Sequence, residues 1–338
     1  MPRIPFNQLH QTLTAILERH GFTPERASLS ARLFAETTRD GVYSHGVLRF
    51  PRFLATIRNG SVHIHATPIR VSALGALERW DGRQGPGNLN AHASMDRAIT
   101  LARTHGIGCV ALRNTNHWMR GGTYGWQAAD AGMVGLCFTN TMPNLPAWGA
   151  AEPSIGNNPL ILAVPRAAGH IVLDMAMSQF SYGALESHRR RNQQLPIPGG
   201  FDAKGNLTTD PAAIEASERP LPIGYWKGSG LAILLDAVAA ITALGNATHQ
   251  LPRDPLRETA LSQIFIALNP TALAENNPDQ PTSDHIANAI VESIHAAQPS
   301  DEQKPPRYPG EQTLRIREEN LRLGIPIDDA LWQQILAL

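Results

Sequence analysis

Three residues in the run Asp40-Gly41-Val42-Tyr43-Ser44-His45-Gly46-Val47-Leu48-Arg49-Phe50 carry groups that could do chemistry together. They are the hydroxyl of Ser44, the imidazole of His45 and the guanidinium of Arg49. An imidazole exchanges a proton near neutral pH, and an arginine grips a carboxylate through two parallel hydrogen bonds. The set suits a small carboxylated carbonyl compound. If a helix begins near His45, Arg49 lies one turn further along the same face. The bland alternative is a helix-start serine beside a surface His and Arg. A second polar run, Arg113 to Gly122, contains Asn116 and His117. It stands where an apolar strand, Ile107 to Leu112, should hand over to a helix, and functional groups collect at strand ends and loops.

Helical elements must position the first cluster. Leu9, Leu13, Ile16 and Leu17 have helical spacing within Phe6 to His20. Thr23-Pro24-Glu25 reads as the start of a second helix running to about Asp40. Val47, Phe50, Phe53, Leu54 and Ile57 form a third apolar face, closed at Asn59-Gly60. The spacing predicts a strand pair over Ile69 to Trp80, a helix over Gly87 to His105, and strands at Met133 to Thr139, Pro159 to Val164, Ile171 to Ala176 and Ser262 to Leu268. Residues 140–158 form a long irregular loop, of the kind that is usually functional or mobile. A helix is expected over Phe180 to Gln194, and Gly199 to Pro211 reads as a loop. Leu231 to Leu244 is apolar nearly all round, so that helix should be buried. Further helices are expected after the Thr282/Ser283/Asp284 cap, over Glu311–Leu323 and over Asp328–Leu338. Val62-His63-Ile64-His65 reads as an exposed strand edge. Its two imidazoles lack a third ligand nearby, so no metal site is expected.

Hydrophobic residues make up 42% of the 338, and 29 basic residues balance 29 acidic ones, which argues against disorder and against a nucleic-acid surface. Cys109 and Cys137 sit in apolar runs without metal-ligand spacing and read as buried free thiols of a reducing compartment. There is no basic flank with an apolar core at the start, and no apolar run approaches the roughly 20 residues of a membrane span. A cytoplasmic protein without membrane partner is the expectation. No GxGxxG or GxxxxGK[ST] loop is present, so no Rossmann or P-loop nucleotide fold is implied.

Longer segments carry a resemblance. They are Gly41 to Val47 with Arg49-Phe50-Pro51-Arg52-Phe53; Asn116-His117-Trp118-Met119-Arg120-Gly121-Gly122; Tyr124 to Ala129; Phe180-Ser181-Tyr182-Gly183; and Gly224-Tyr225-Trp226-Lys227-Gly228-Ser229-Gly230. Over nearly its whole length the chain resembles the malate/L-lactate dehydrogenase family that lacks the Rossmann fold. The resemblance implies a mixed α/β (α+β) fold of interleaved helical and sheet domains. Residues 1–66 would pack with helices of 305–338, and 67–304 would form a cofactor-binding sheet domain with an inserted helical subdomain around 180–260. It implies a homodimer that uses NADH, or NADPH, to reduce a 2-keto acid.

The same resemblance implies residue roles. His45 matches the proton donor, and His117 a second active-site histidine that some members use in that role. Ser44 and Asn116 would orient the substrate or the histidines, and Arg49 would hold the carboxylate. Cofactor contacts fall on His170, Ile171, Val172, Leu173, Asp174, Met175 and Ala176, on Trp226 and Lys227, and on Gly310, Glu311 and Gln312. The last of these stretches departs from an expected Gly-His-Glu. Asp174 would accept the adenosine ribose hydroxyls and repel a 2′-phosphate, favouring NADH. Trp118-Met119-Arg120, where most of the family has Phe-Gly after the second histidine, points to a sugar-acid substrate. The rivals are a malate, ureidoglycolate or sulfolactate dehydrogenase of the same family, and a non-catalytic ligand-binding descendant.

Overall fold

The structure is a computed structural model that describes residues 1–272, 281–301 and 304–338. The chain opens with β1 (Arg3–Ile4), α1 (Phe6–Arg19) and α2 (Pro24–Arg39), makes one 3₁₀ turn at Tyr43–His45, and continues into α3 (Phe50–Arg58). The stripe Leu9, Leu13, Ile16 and Leu17 is buried as its spacing requires. It meets Phe34, Phe50, Phe53 and Leu54 in one apolar cluster. The same cluster takes in Ile325, Ile327, Trp332 and Ile335, from the far end of the chain.

The middle of the chain runs β2 (Ile69–Leu74), β3 (Leu77–Asp81), α4 (Gly87–His105), β4 (Ile107–Asn116), α5 (Gly122–Asp130), β5 (Val134–Thr139), β6 (Leu145–Pro146), β7 (Pro153–Ile155), β8 (Leu160–Val164) and β9 (Ile171–Met175). Next come α6 (Tyr182–Arg190), β10 (Gly200–Phe201), β11 (Leu207–Thr208), α7 (Pro211–Ser217), α8 (Trp226–Ala243) and β12 (Thr259–Leu268). The chain ends with α9 (Ser283–His295), α10 (Glu311–Leu323), β13 (Ile325–Pro326) and α11 (Asp329–Leu336). Seven strands form one sheet in the order β2-β3-β4-β12-β5-β8-β9. Only β3 and β4 pair in parallel; every other neighbouring pair in it is antiparallel.

Alternation along β4 divides the core. Val110 and Leu112 face α4 and α5, while Ala111 faces α8. Gly106, in the left-handed conformation at φ 80°, ends α4 and turns the chain into β4. A small separate cluster, Leu185, Leu195 and Ile214, holds α6 and α7 together.

Several expectations need correction. Residues 61–65 form a turn rather than a strand, and among the described residues no group of three metal-ligating side chains occurs. Residues 140–158 contain the β6–β7 pair, and Gly199 to Pro211 contains the β10–β11 hairpin. Cys137 is buried, but Cys109 is only half-buried. Helix α8 buries Ala232, Leu235 and Ala239 on the sheet and leaves Leu234, Val238 and Ile241 exposed, so it is not enclosed all round. By length and composition it is apolar enough to cross a membrane, and here one face of it covers the sheet. Among the N-terminal helices apolar surface is mostly buried, so the larger exposed apolar area lies on α8 and on β2.

Candidate active site

Ser44 and His45 sit on the 3₁₀ turn, and Arg49 is the residue before α3. The single-helix argument for pairing His45 with Arg49 therefore fails, although the fold still brings the two side chains together. Gly46 lets the turn press on α2: a Cβ there would collide with Thr38, whose Oγ1 accepts a hydrogen bond from Val47 N at 2.9 Å. Gly183 in turn approaches Ser44 so closely that a Cβ would lie 3.0 Å from the serine Cβ. Ser44 Oγ and His45 Nδ1 share a hydrogen bond of 3.0 Å.

Strand β4 extends to Asn116, further than the sequence suggested, and delivers His117 directly to His45. The two imidazoles are stacked, with centroids 6.0 Å apart. Met119, at φ 67°, donates its backbone N–H to His117 Nδ1 at 3.0 Å. Neutral His117 therefore carries its proton on Nε2. Asn116 donates to the carbonyls of Gln84 and Gly85 at 2.8 and 3.0 Å, so its amide nitrogen braces a loop.

A cleft is lined by Arg49, Arg52, Asn116, His117, Met119 and Glu258. Its free volume is about 20 Å³, so a six-carbon acid requires the walls to part. Burial, then the charge of Arg49, holds the His45 imidazole down at about 4. Asp174 opposes that shift and Arg120 adds to it. Burial also pushes His117 well below the usual range, with Arg49, His45 and Arg52 adding to it. Burial lowers Arg49 to about 10 against the support of Glu258, whose Oε2 lies 3.6 Å from Arg49 Nη2.

Asp174 stays partly exposed while bonding to neighbouring residues. Its Oδ2 accepts from Gly122 N at 3.0 Å, at the start of α5, and lies 3.5 Å from Arg120 Nε. Arg120 continues to Asp40, which also receives Arg39 and both prongs of Arg317 at 2.7–2.9 Å. Burial alone would raise the Asp40 carboxyl, but the three arginines hold it below its ordinary value.

The remaining sequence-derived positions gather along β9, an edge strand. Gly310 lies against Val172, whose N–H donates to Pro309 O at 2.8 Å; a Cβ at Gly310 would press on that backbone. Two residues beyond the strand, Ile223 N donates to Met177 O at 2.8 Å, and Trp226 and Lys227 follow Ile223 by three and four residues. Both head α8, and Trp226 is open to solvent. Lys227 stands at the positive end of this 18-residue helix, but the N–H groups of Lys227, Gly228 and Ser229 already donate to Gly224, Ile223 and Tyr225, so an anion there would meet the lysine side chain and not a backbone cradle. His170 is occupied by Arg166 N and Asp130, Glu311 by His295 and Arg315, and Gln312 by Arg307. Glu258, Arg52 and the Asp40 cluster were not found from sequence. Glu258 lies in a charged stretch, Arg253 to Glu258, without periodicity, and only the pairing of β12 with β4 carries it to Asn116.

The malate/L-lactate dehydrogenase family model matches residues 4–336. The 2,3-diketo-L-gulonate reductases of Klebsiella pneumoniae and Escherichia coli K12 are each 47% identical over 336 residues, covering 99% of this chain and all of theirs. Among solved structures, sulfolactate dehydrogenase from Methanocaldococcus jannaschii superposes with a TM-score of 0.89 at 26% identity, covering 100% of this chain and 98% of its own. The delta1-piperideine-2-carboxylate reductase of Pseudomonas syringae gives 0.88 at 28%, covering 100% and 99%. A full-length match of sequence and fold, around two facing histidines and a half-buried arginine, leads to one conclusion: the chain belongs to the malate/L-lactate dehydrogenase family, and so to the oxidoreductases that act on hydroxy and keto acids.

Proposed function

We propose that this enzyme is an NADH-dependent reductase of a 2-keto sugar acid, converting 2,3-diketo-L-gulonate to 3-keto-L-gulonate. It would act as a cytoplasmic homodimer. The single observation that carries the reading is the stacking of His45 on His117, which lines a cleft together with the half-buried Arg49. NADH, when bound, supplies the hydride to C2 of the keto acid. Arg49 holds the substrate carboxylate in a two-pronged grip. His45 gives its proton to the carbonyl oxygen as charge develops there, a contribution worth roughly 10²–10⁴-fold. His117, with its proton on Nε2, donates a hydrogen bond to the same region, and Ser44 fixes the His45 ring. Lys227, at the start of α8, would hold the cofactor's phosphates, with β9 and Gly310 along its length.

His45 is neutral in the free protein at neutral pH, because burial and Arg49 disfavour its charge. A bound carboxylate cancels Arg49 and favours proton uptake, so substrate binding and loading of the acid are coupled. The test is steady-state NADH oxidation with 2,3-diketo-L-gulonate, pyruvate, oxaloacetate and sulfopyruvate. The sugar acid should give the highest kcat/KM. A higher value for one of the others would reassign the substrate, and NADH binding without turnover on any would make the chain a ligand-binding descendant.

A further inference from the structure

Strand β12 reaches the site through an irregularity. Its register against β4 shifts on both sides of Leu261, and Ala260 takes φ 61°, a region that residues other than glycine rarely adopt. Such bulges re-aim side chains, and backbone strain of this kind gathers at functional sites. The residue re-aimed here is Glu258. Its side chain is 8% exposed and faces the cleft that Arg49, Arg52 and His117 line. Oε1 accepts from Met142 N at 3.3 Å. Among the described residues Oε2 has no donor closer than Arg49 Nη2 at 3.6 Å, beyond hydrogen-bond reach. One oxygen of a buried carboxylate is thus free to accept a hydrogen bond inside the substrate cleft.

The charges decide what such a cleft accepts. Arg49 and Arg52 bring two positive charges and Glu258 one negative, and the two histidines are neutral. The balance matches one carboxylate. Without Glu258 it would match two. We propose that Glu258 is a specificity-determining residue: it selects hydroxylated keto acids bearing a single carboxylate and rejects dicarboxylic ones. The substrate enters between Arg49 and Glu258. Its carboxylate replaces Glu258 on the guanidinium, and a hydroxyl further along its chain donates to the freed Oε2. A second substrate carboxylate would instead face a like charge in a poorly solvated cleft, with nothing to donate. This inference rests on the reductase reading and adds to it a cause for the choice of substrate.

Glu258→Gln and Glu258→Asp should be assayed with 2,3-diketo-L-gulonate and with oxaloacetate. In the Gln variant the ratio of kcat/KM for oxaloacetate to that for the sugar acid should rise about 10- to 100-fold, the size of one like-charge contact removed near the surface. The change should come largely through a lower KM for oxaloacetate. The Asp variant keeps the charge and should stay near the wild-type ratio. A second measurement needs neither a variant nor turnover. Calorimetric titration of the wild-type protein should show malonate, a dianion, binding more weakly than lactate. An unchanged ratio in the Gln variant, or malonate binding more tightly than lactate, overturns the proposal. If the wild-type protein reduces no keto acid, the reductase reading fails, and the calorimetry still decides the charge preference of the cleft.

Discussion

The rings of His45 and His117 are inclined by only 19° to one another. Burial, Arg49 and then a charged His45 lower the readiness of His117 to take a proton, because two imidazolium ions face to face in a dry cleft repel. The pair therefore takes up at most one extra proton, and either ring could carry it. His45 is the donor in the mechanism above. His45→Asn should lower turnover by at least about 10², with NADH binding, read by fluorescence titration, little changed. His117→Asn should cost less. A larger fall in His117→Asn would exchange the roles.

Stability should depend on pH through the same pair. The unfolded chain protonates histidine near 6.5, whereas folded His45 resists protonation down to about 4 and His117 is also depressed. Stability is then full above about 6.5 and is lost as pH falls from there towards 4. Glu78, held at about 2 by its bonds to Arg97 despite burial, stabilises fully above about 4.5 and loses that contribution only as pH falls from there towards 2. Melting curves from pH 8 to 4 should show the drop, and His45→Asn should make it shallower. A flat Tm across that window would contradict this account.

Arg49→Met should reduce kcat/KM by about 10²–10³, the loss of charge-assisted hydrogen bonds to a carboxylate. It should also destabilise the fold, because Glu258 then loses the nearest opposite charge in a poorly solvated cleft. Arg49→Met combined with Glu258→Gln should recover Tm and leave turnover low. Recovery of both would mean that the arginine has a structural role only.

Asp174 separates two readings of β9. Its carboxylate is tied to Gly122 and Arg120 and favours a proton on His45. Asp174→Asn should lower kcat about 10-fold, the effect of about one pKa unit at the acid. The ratio of activity with NADH to that with NADPH should stay constant. A shift of that ratio towards NADPH would support the contact of Asp174 with the ribose.

The outer face of α8 gives the dimer prediction its location. Light scattering at micromolar concentration should give twice 36.7 kDa. Leu234→Glu with Ile241→Glu, at residues 62% and 71% exposed in one subunit, should give a monomer. A double variant that stays dimeric would move the interface elsewhere.

The sequence reveals the helices best, because an apolar stripe at 3.6-residue spacing is a local signal; the helix expected near Glu311–Leu323 is α10. His45, Arg49 and His117 were legible as chemical types, and motif resemblance added their roles. Proximity was legible for the wrong reason, since Arg49 reaches His45 through a 3₁₀ turn and not along one helix. Helix α8 misled because uniform apolarity does not say what covers each face. Glu258 was out of reach, since a bulge at Ala260 and a pairing across the sheet aim it, and neither leaves a periodic trace.

The joining of the two ends of the chain bears on how the protein is made. Arg3 and Gly324, 321 residues apart, meet at 3.1 Å, and β1 pairs with β13 beside them. At ribosomal speed, tens of seconds pass between the emergence of α1 and that of the strand and helix that complete its core. Throughout that interval the first three helices carry an uncovered apolar face, and a chain that stalls before Ile325 never hides it. The first three helices are thus made long before the segment that covers them, which makes the nascent chain a client for chaperones until Ile325 to Ile335 have emerged.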